Sequence, residues 1–250
     1  MASANAFDQA GFDVRFEWGL EGLAALAPTS DVVIVVDVLS FSTSVEVATS
    51  RGAVVFPAPW EDDRALDLAR SVGAHLAVPR SRMSPQSPYS LSPASFSSID
   101  RGLRIVLPSP NGATIALQAE TLGLPVIAGC LRNAAAVAEA ARAMGRRVSV
   151  IAAGERWPNG TLRPAVEDLV GAGAIVAALG GSLSPEAAAA AGAFASVDVT
   201  TQLAQSESGR ELVDAGFPQD VQLAAMLNAS GTVPVLRDGA FTSDDAPIRS

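Results

Sequence analysis

Residues 32–44 read VVIVVDVLSFSTS. The first five are continuously apolar, which is the pattern of a parallel strand buried on both faces. An acid, Asp37, follows directly, and hydroxyl side chains then stand at the start of a stretch of helix length. This segment therefore predicts a buried strand, a short loop and a helix.

The same order of strand and helix recurs through the first 180 residues. Apolar runs of strand length lie at 32–36, 53–57, 75–78, 104–107, 125–128 and 148–152. Amphipathic or Ala-rich stretches alternate with them at 42–51, 61–73, 112–123, 133–145 and 164–179. This alternation predicts an α/β fold with a mostly parallel sheet and helices on both of its faces.

After Gly181 the pattern changes to helices without clear strands. We predict helices at 185–194, 197–215 with a break at Ser206, and 217–227, followed by an extended segment at 233–236. The C-terminal third is therefore expected to be a helical layer within a single domain that spans residues 1–250.

Composition limits the functional classes. The chain of 250 residues is 49% hydrophobic and has a formal net charge of −9, which disfavours nucleic acid and anionic membrane surfaces as partners. Cys130 is the only cysteine, and the sequence has neither a signal-peptide core nor an apolar run of membrane length. We therefore expect a cytoplasmic protein, and its Ala-rich helices are compatible with a homo-oligomer.

Asp37 is the strongest candidate for a functional residue. Ligands of open parallel sheets bind beyond the carboxyl ends of the strands, and Asp37 directly follows such a strand. A carboxylate there suits Mg²⁺, which proteins bind through few carboxylates together with waters and phosphate oxygens. A helix N-cap explains an Asp at this position equally well. We predict that Asp37 is a catalytic residue and a metal ligand.

Two turns at predicted strand ends offer groups for an anion. Ser42, Thr43 and Ser44 begin one helix, and Asn111-Gly112 precedes another. Hydroxyls and backbone N–H groups at a helix N-terminus bind phosphate, and a turn with glycine can form an anion nest. Ordinary capping and a plain turn are the alternatives. We predict that all five residues bind the phosphate of a substrate.

Two arginines follow apolar runs in the same way. A guanidinium at Arg132 or Arg156 can hold phosphate or carboxylate through two parallel hydrogen bonds. We predict that Arg132 binds substrate and that Arg156 neutralises charge during catalysis. An exposed surface arginine is the alternative for each.

Three further acids complete a candidate carboxylate cluster with Asp37. Glu155 follows the last predicted strand, and Glu167 and Asp168 stand near the start of a helix that we expect to begin at Pro164. Acids in a first turn are favoured by the helix dipole alone, but two adjacent acids cannot both face solvent on an apolar helix. We predict catalysis for Glu155 and metal binding for Glu167 and Asp168.

The remaining reactive residue types give no competing mechanism. His75 and Cys130 are interpreted as structural, so proton transfer falls to a carboxylate or to metal-bound water. No Gly-x-Gly-x-x-Gly follows the first strand, and Leu39 replaces the second acid of an Asp-x-Asp motif. The fingerprints of dinucleotide-binding folds and of haloacid-dehalogenase phosphatases are therefore missing.

Short motifs along the chain resemble those of the 2-phosphosulfolactate phosphatase family in order and spacing. They are DVL at 37–39, ST at 42–43, SPNG at 109–112, GERWPNG at 154–160, RP at 163–164, EDL at 167–169, GAG at 171–173, SGREL at 208–212, GF at 216–217 and DV at 220–221. The resemblance implies an α/β enzyme that uses Mg²⁺ to hydrolyse 2-phosphosulfolactate to sulfolactate and phosphate in coenzyme M biosynthesis.

The chain departs from that family pattern at two places. Ser40 stands where many members have arginine, and Val78-Pro79-Arg80-Ser81 replaces a segment of the Gly-Glu-Arg-Gly type. These changes remove an arginine and a carboxylate, which predicts altered contacts to the sulfonate, with Arg80 as a substitute cation. The predicted function is Mg²⁺-dependent hydrolysis of 2-phosphosulfolactate or a related phosphorylated hydroxy acid. The alternative is a non-catalytic protein that binds small anions.

Overall fold

The structure is a computed structural model that describes residues 7–59 and 63–243. Its strands are β1 (Val14–Trp18), β2 (Val32–Val36), β3 (Val54–Ala58), β4 (His75–Leu76), β5 (Arg104–Pro108), β6 (Val126–Gly129), β7 (Val148–Ala152), β8 (Glu155–Arg156), β9 (Leu162–Arg163), β10 (Pro234–Arg237) and β11 (Ala240–Ser243). Its helices are α1 (Gly19–Leu26), α2 (Phe41–Ser50), α3 (Asp63–Val72), α4 (Gly112–Thr121), α5 (Ala134–Met144), α6 (Val166–Leu179), α7 (Pro185–Ala195), α8 (Val199–Gln205), α9 (Glu207–Asp214) and α10 (Pro218–Ala224).

The main sheet is mostly parallel, as predicted. Its order is β1-β7-β2-β6-β10-β11-β3-β5-β4, and β8 pairs with β9 separately. Strands β1, β7, β2 and β6 are parallel neighbours, and so are β3, β5 and β4. The hairpin β10–β11 lies between these two groups and pairs with both of its neighbours in the antiparallel sense.

Helices cover both faces of the sheet because β2 alternates its side chains between two cores. Val32, Ile34 and Val36 pack in the core that contains α5, α6 and α7. Val33 and Val35 pack in the core that contains α1, α2 and α4. Since every β2 residue is buried, the strand reads as a continuous apolar run rather than an alternating one.

The C-terminal third is helical up to the hairpin. Leu203 of α8 and Val221 of α10 join the core beneath α6, so these helices extend the layer on one face of the sheet. Helix α8 ends at Gln205 and α9 begins at Glu207, which places the break at Ser206 as predicted. Within the described residues, no helix is long and apolar enough to cross a membrane.

Several elements differ from the sequence prediction, and α1, β8 and β9 were not predicted at all. The helix expected from Pro164 begins at Val166, because Ala165 is in an extended conformation at the N-cap. Strand β1 was not predicted, since Arg15 and Glu17 interrupt its apolar pattern. Arg15 is nevertheless fully buried, where its guanidinium donates to Thr29 and Ser30. Strand β11 was also missed, and residues 61 and 62 of the predicted helix at 61–73 lie outside the described residues.

Candidate functional site

Asp37 lies at the end of β2 and joins two helix starts. Its Oδ1 accepts a hydrogen bond from the N–H of Phe41, the first residue of α2, at 3.0 Å. Its Oδ2 accepts one from the N–H of Gly112, the first residue of α4, at 3.0 Å, and a longer one from Ser109 Oγ. Asp37 therefore accepts hydrogen bonds at the starts of two helices. This role does not prevent it from also belonging to a functional site.

Gly112 is required for this close approach. A Cβ at this position would lie 2.5 Å from Phe41 Cδ1 and 2.7 Å from Asp37 Oδ2. Real Cβ atoms do not come so close to neighbours, so any side chain would displace α4 from Asp37. The Asn111-Gly112 turn thus brings the end of β5 against the end of β2.

Asp168 fastens the start of α6 to the same region. Its Oδ1 accepts from Val38 N–H at 2.7 Å, and its Oδ2 accepts from Gly154 N–H at 2.8 Å. Both donors directly follow strand-end positions, Val38 after Asp37 and Gly154 after β7. The carboxylate is 3% exposed, so its charge lies almost wholly inside the protein.

Glu167 differs from its neighbour because it makes no such bonds. The side chain is 2% exposed, and no hydrogen bond or ion pair within the described residues involves its carboxylate. Its negative charge acts on Asp37, Glu155 and Asp168. Its oxygens are not among the fully enclosed unpaired atoms of the described residues, so water or a cation can reach this carboxylate.

Glu155 and Arg156 are connected through Asn111. The Asn111 amide donates to Glu155 Oε2 at 3.1 Å, and its carbonyl oxygen accepts from Arg156 Nε at 3.2 Å. Arg156 also donates to the carbonyl oxygens of Gly160 and Pro110. Asn111 thereby links the carboxylate of Glu155 to the guanidinium of Arg156, next to the turn in which Gly112 begins α4.

Burial and mutual repulsion disturb the ionisation of these acids. Burial raises the pKa of Asp37, the N–H groups of Phe41 and Gly112 offset part of that rise, and the charge of Glu167 adds to it. Burial and the charges of Asp37 and Glu167 raise the pKa of Asp168 well above its ordinary value. Burial and the same two charges raise the pKa of Glu155 to about 7.

We name Asp37, Glu155, Glu167 and Asp168 the carboxylate site. Within the described residues, no group of three or more His, Cys, Asp or Glu side chains could hold a metal ion. Mg²⁺ does not require one, because it is bound through one or two carboxylates plus waters and substrate oxygens. The unpaired Glu167 and the mutual repulsion of the acids are conditions that a divalent cation would relieve, so these residues fit Mg²⁺.

Comparison with known proteins identifies the relatives of this chain. The family model described as 2-phosphosulpholactate phosphatase matches residues 22–239. A 2-phosphosulfolactate phosphatase of Methanothermobacter thermautotrophicus is 34% identical over 211 residues, which cover 84% of this chain and 88% of the relative. The chain belongs to the 2-phosphosulfolactate phosphatase family. A probable 2-phosphosulfolactate phosphatase of Carboxydothermus hydrogenoformans is 30% identical over 209 residues, which cover 81% of this chain and 84% of that relative.

In this family member the hydroxyls after Asp37 face inward. Ser42 Oγ donates to the carbonyl of Val35, Thr43 Oγ1 to that of Val38, and Ser44 Oγ to that of Leu91. All three side chains are fully buried. Their hydroxyls hold the loop in place, and a role in phosphate binding stays a prediction for them.

The side chain of Arg132 bonds to groups that are not part of the carboxylate site. Its Nε donates to Oε2 of the fully buried Glu46 on α2 at 2.5 Å, and its Nη1 donates to the carbonyl of Leu223. These bonds join α2, α10 and the turn after β6. Arg132 therefore has a structural ion pair, and its predicted contact with substrate stays untested.

Two residues of the site were not predicted from the sequence. Arg163 pairs with Glu155 across β8–β9, and its charge lowers the pKa of that acid. It also lies over the ring of Trp157 and donates to Ser208. Ser109 Oγ reaches Asp37 and accepts from Asn111 N–H. Ser109 follows β5 directly, so the rule that located Asp37 could have found it.

Proposed function

We propose that this chain is a Mg²⁺-dependent phosphoric monoester hydrolase that acts on 2-phosphosulfolactate or a related phosphorylated 2-hydroxy acid. The observation that carries the proposal is the carboxylate site, in which the buried acids Asp37, Glu167 and Asp168 lie near strand ends and form no ion pair with an arginine of the described residues. Membership of the 2-phosphosulfolactate phosphatase family supports the reaction class. Water attacks phosphorus, the ester P–O bond breaks, and the products are the hydroxy acid and inorganic phosphate.

One or two of Asp37, Glu167 and Asp168 would hold the cation, together with waters and substrate oxygens, because the described residues include no group of three acids that could hold a metal ion. Glu167 has its whole carboxylate available, and each oxygen of Asp168 accepts one backbone N–H bond and keeps one lone pair. Asp37 Oδ1 likewise keeps one, whereas its Oδ2 accepts from both Gly112 N–H and Ser109 Oγ. When bound, Mg²⁺ supplies positive charge to the phosphate oxygens. The two aspartates also keep the strand ends at fixed positions around it.

Glu155 is the residue suited to move a proton. With a pKa of about 7 it exchanges protons near neutral pH, where general acid–base catalysis is most effective. Asn111 fixes the position of its Oε2. Glu155 therefore takes a proton from the attacking water or gives one to the departing hydroxyl oxygen.

Arg156 and Arg163 are the cations closest to this proton-transfer group. Arg156 is bonded to Asn111, and Arg163 faces Glu155 in the β8–β9 pair. Guanidinium groups stabilise the charge that develops on a transferring phosphoryl group. A cavity of about 740 Å³ beside β8 and β9 is lined by both arginines and by the acids Glu155, Glu207 and Glu211, so a phosphorylated acid that enters it would contact the arginines rather than the acids.

The test is phosphate release from a panel of phosphorylated 2-hydroxy acids, with Mg²⁺ and with a chelator. We expect release from at least one ester that stops on chelation and resumes when Mg²⁺ is restored. Binding of phosphate without turnover of any ester would favour the non-catalytic alternative. We also expect the active protein in the cytoplasm, which localisation of the tagged chain would check.

A further inference from the structure

The cavity beside β8 and β9 shares Glu155 with the carboxylate site but does not include its other acids. It has a volume of about 740 Å³, and its lining comes from the β8–β9 hairpin and from α9. Asp37, Glu167 and Asp168 are not among its lining residues. Glu155 therefore lies between the buried acids, where the phosphoryl group would react, and a space of a size that holds small molecules.

The two arginines of this cavity differ in how far the protein itself uses them. Arg156 donates from Nε, Nη1 and Nη2 to three oxygens of its own hairpin and of the turn before α4. Arg163 donates one of its five N–H groups, from Nη2 to Ser208 Oγ at 3.3 Å, and forms no ion pair within the described residues. None of its nitrogens is among the enclosed unpaired atoms of those residues, so its remaining N–H groups are open to a ligand.

Three contacts fix the direction of the Arg163 guanidinium. Arg163 pairs directly with Glu155 across β8–β9, so both side chains stand on the same face of the hairpin. Its guanidinium carbon lies 5.9 Å from the centre of the Trp157 ring, which is within the range of a cation–π contact. Ser208 makes the third contact, at Nη2. An arginine held in this way loses little freedom when it binds an anion, which favours binding.

Ser208 is itself held by the junction of α8 and α9. Ser206 Oγ accepts from Gly209 N–H at 3.0 Å and so caps α9. A Cβ at Gly209 would lie 1.8 Å from the carbonyl oxygen of Leu203, so only glycine allows the two helices to approach this closely. Ser208 lies between these two residues and is 6% exposed, which leaves it little room to move away from Arg163.

The charges of the lining favour an anion. Glu207 is paired with Arg210 at 2.5 Å. Glu155 has a pKa raised to about 7, mainly by burial, so about half of this carboxyl group is neutral at pH 7. Among the lining residues, all of which are described, the two arginines then face one acid without such compensation, Glu211.

A phosphorylated hydroxy acid carries at least one acid group that hydrolysis leaves in place. Resting on the phosphatase function proposed above, we propose that Arg163 is a specificity-determining residue that binds such a group, a sulfonate or a carboxylate, when the phosphoryl group is at the carboxylate site. The free N–H groups of Arg163 form a planar fork that suits two oxygens of either anion. Ser208 is a positioning residue that holds this fork in the cavity.

Four matched phosphate esters separate the two acid groups. They are the esters of sulfolactate, which has both groups, of 2-hydroxyethanesulfonate, which has only the sulfonate, of lactate, which has only the carboxylate, and of ethanol, which has neither. We expect Arg163→Gln to lower kcat/KM about 100-fold more for the esters that carry the bound group than for ethyl phosphate, mostly through KM. The single-acid ester that loses more identifies that group.

Equal losses for all four esters would overturn the inference, because Arg163 would then act on the phosphoryl group alone. The matched control is Arg142→Gln, which changes an exposed arginine that bonds to Ala178 near the end of α6 remote from Glu167. It should leave the ratios between the four esters unchanged. Melting temperatures of both variants show that the fold is kept.

The positioning role of Ser208 is tested through Arg163. Ser208→Ala removes the acceptor of Nη2, and we expect KM for the acid-bearing esters to rise about fivefold with a smaller change in kcat. Ser208→Thr keeps the hydroxyl and should restore KM. In the Arg163→Gln background, Ser208→Ala should add nothing, because it acts only through that guanidinium. A full fivefold effect in that background would contradict the positioning role.

Binding separates failure of this inference from failure of the proposed function. Because Arg163 lies over Trp157, sulfolactate should change the fluorescence of that tryptophan, with Trp157→Phe as the control. Arg163→Gln should weaken this binding about 100-fold. If no ester is hydrolysed but sulfolactate binds and needs Arg163, the anion site stands and the phosphatase proposal fails. If esters are hydrolysed and sulfolactate binds the parent and Arg163→Gln equally, the inference fails alone.

Discussion

Glu46 and Glu167 are both buried glutamates on helices that pack against the sheet, yet their surroundings are opposite. Glu46 accepts from Arg132, while one of its oxygens has no partner within the described residues. Asp220, also fully buried, is paired with Arg80 in the same manner. Glu167 has no arginine and lies instead among Asp37, Glu155 and Asp168.

The difference separates charge that supports the fold from charge that serves a ligand. In a buried ion pair each charge compensates the other, and removing one partner leaves the other charge buried without compensation. Burial and mutual repulsion raise the pKa of Asp37, Glu155 and Asp168, and buried acids of this kind lower the stability of the protein unless protons or a cation bind. Perturbed acids that face a cavity are candidates for function on this physical ground.

Replacing Glu167 by Gln should give the largest effect on turnover. Because Glu167 makes no protein hydrogen bonds, Gln removes a charge without leaving a donor unpaired, and the melting temperature should stay the same or rise. We expect turnover to fall about 1000-fold, equivalent to about 4 kcal/mol of barrier. Asp37→Asn is a less clear test, since its amide would oppose the N–H of Phe41 or Gly112.

The matched control is Glu186→Gln, which changes an exposed first-turn glutamate of α7. It should alter neither turnover nor the Mg²⁺ concentration needed for half-maximal activity. The measurements on both variants are turnover, melting temperature and the Mg²⁺ concentration that gives half-maximal activity. A Glu167→Gln enzyme that keeps turnover within threefold of the parent would remove Glu167 from the metal site.

Replacing Glu46 by Gln should act on stability instead. The variant leaves Arg132 buried without an opposite charge, which we expect to cost about 3 kcal/mol of unfolding free energy. Turnover per folded molecule should stay within about threefold. The double variant Glu46→Leu with Arg132→Met removes both charges and should recover most of the stability, as denaturant unfolding would show. Loss of turnover without loss of stability would mean that the pair belongs to the catalytic machinery.

The sequence predicted those parts of the fold that depend on continuous apolar runs. Strand β2, the parallel pairing and the positions of Asp37, Gly112 and Glu155 at strand ends all follow from the rule for parallel sheets. Strand β1 was not predicted because the buried Arg15 interrupts its apolar pattern, and this side chain donates to Thr29 and Ser30 in the turn after α1 while its Nε has no partner within the described residues. No local pattern encodes such a partner.

The sequence also did not predict the direction in which an individual side chain points. Arg132 and Arg163 both lie near strand ends, but Arg132 turns to Glu46, 86 positions away in the chain. Arg163 faces Glu155 through the short β8–β9 pair, whose two-residue strands carry no periodic signal. The extended segment predicted at 233–236 corresponds to β10, but β11 and the place of the hairpin between the parallel groups were missed, since that place depends on pairing partners more than 100 residues earlier.

A smaller effect should appear in the pH dependence of stability without metal. The pKa of Glu155 rises from an ordinary 4.5 to about 7 through burial, Asp37 and Glu167, with Arg163 and Asn111 opposing the rise. A raised acid pKa favours the fold at pH below 4.5, and that contribution is lost as the pH rises to 7. We expect the melting temperature to fall by about 5 °C between pH 5 and pH 8.

Two comparisons sharpen this prediction. Glu155→Gln cannot ionise, so its melting temperature should change less over the same pH range. Mg²⁺ should raise the melting temperature of the parent more at pH 8 than at pH 5, because it offsets negative charge that is present only at the higher pH. An equal Mg²⁺ effect at both pH values would contradict binding at ionised carboxylates.

The smallest effect is expected at Arg156, which is exposed and bonded to the site only through Asn111 and backbone carbonyls. Arg156→Gln should lower kcat/KM about 10-fold, mostly through KM, and the loss should shrink at high salt because an exposed charge is screened. Without Arg156 the Asn111 amide is held less firmly against Glu155, and that hydrogen bond lowers the pKa of Glu155. The pH profile of kcat should therefore move to slightly higher pH. Arg70→Gln, at an exposed arginine on α3 paired with Asp67, should change neither quantity. If Arg156→Gln lowers kcat/KM without moving the profile, Arg156 contacts the substrate directly and Asn111 positions Glu155 unaided.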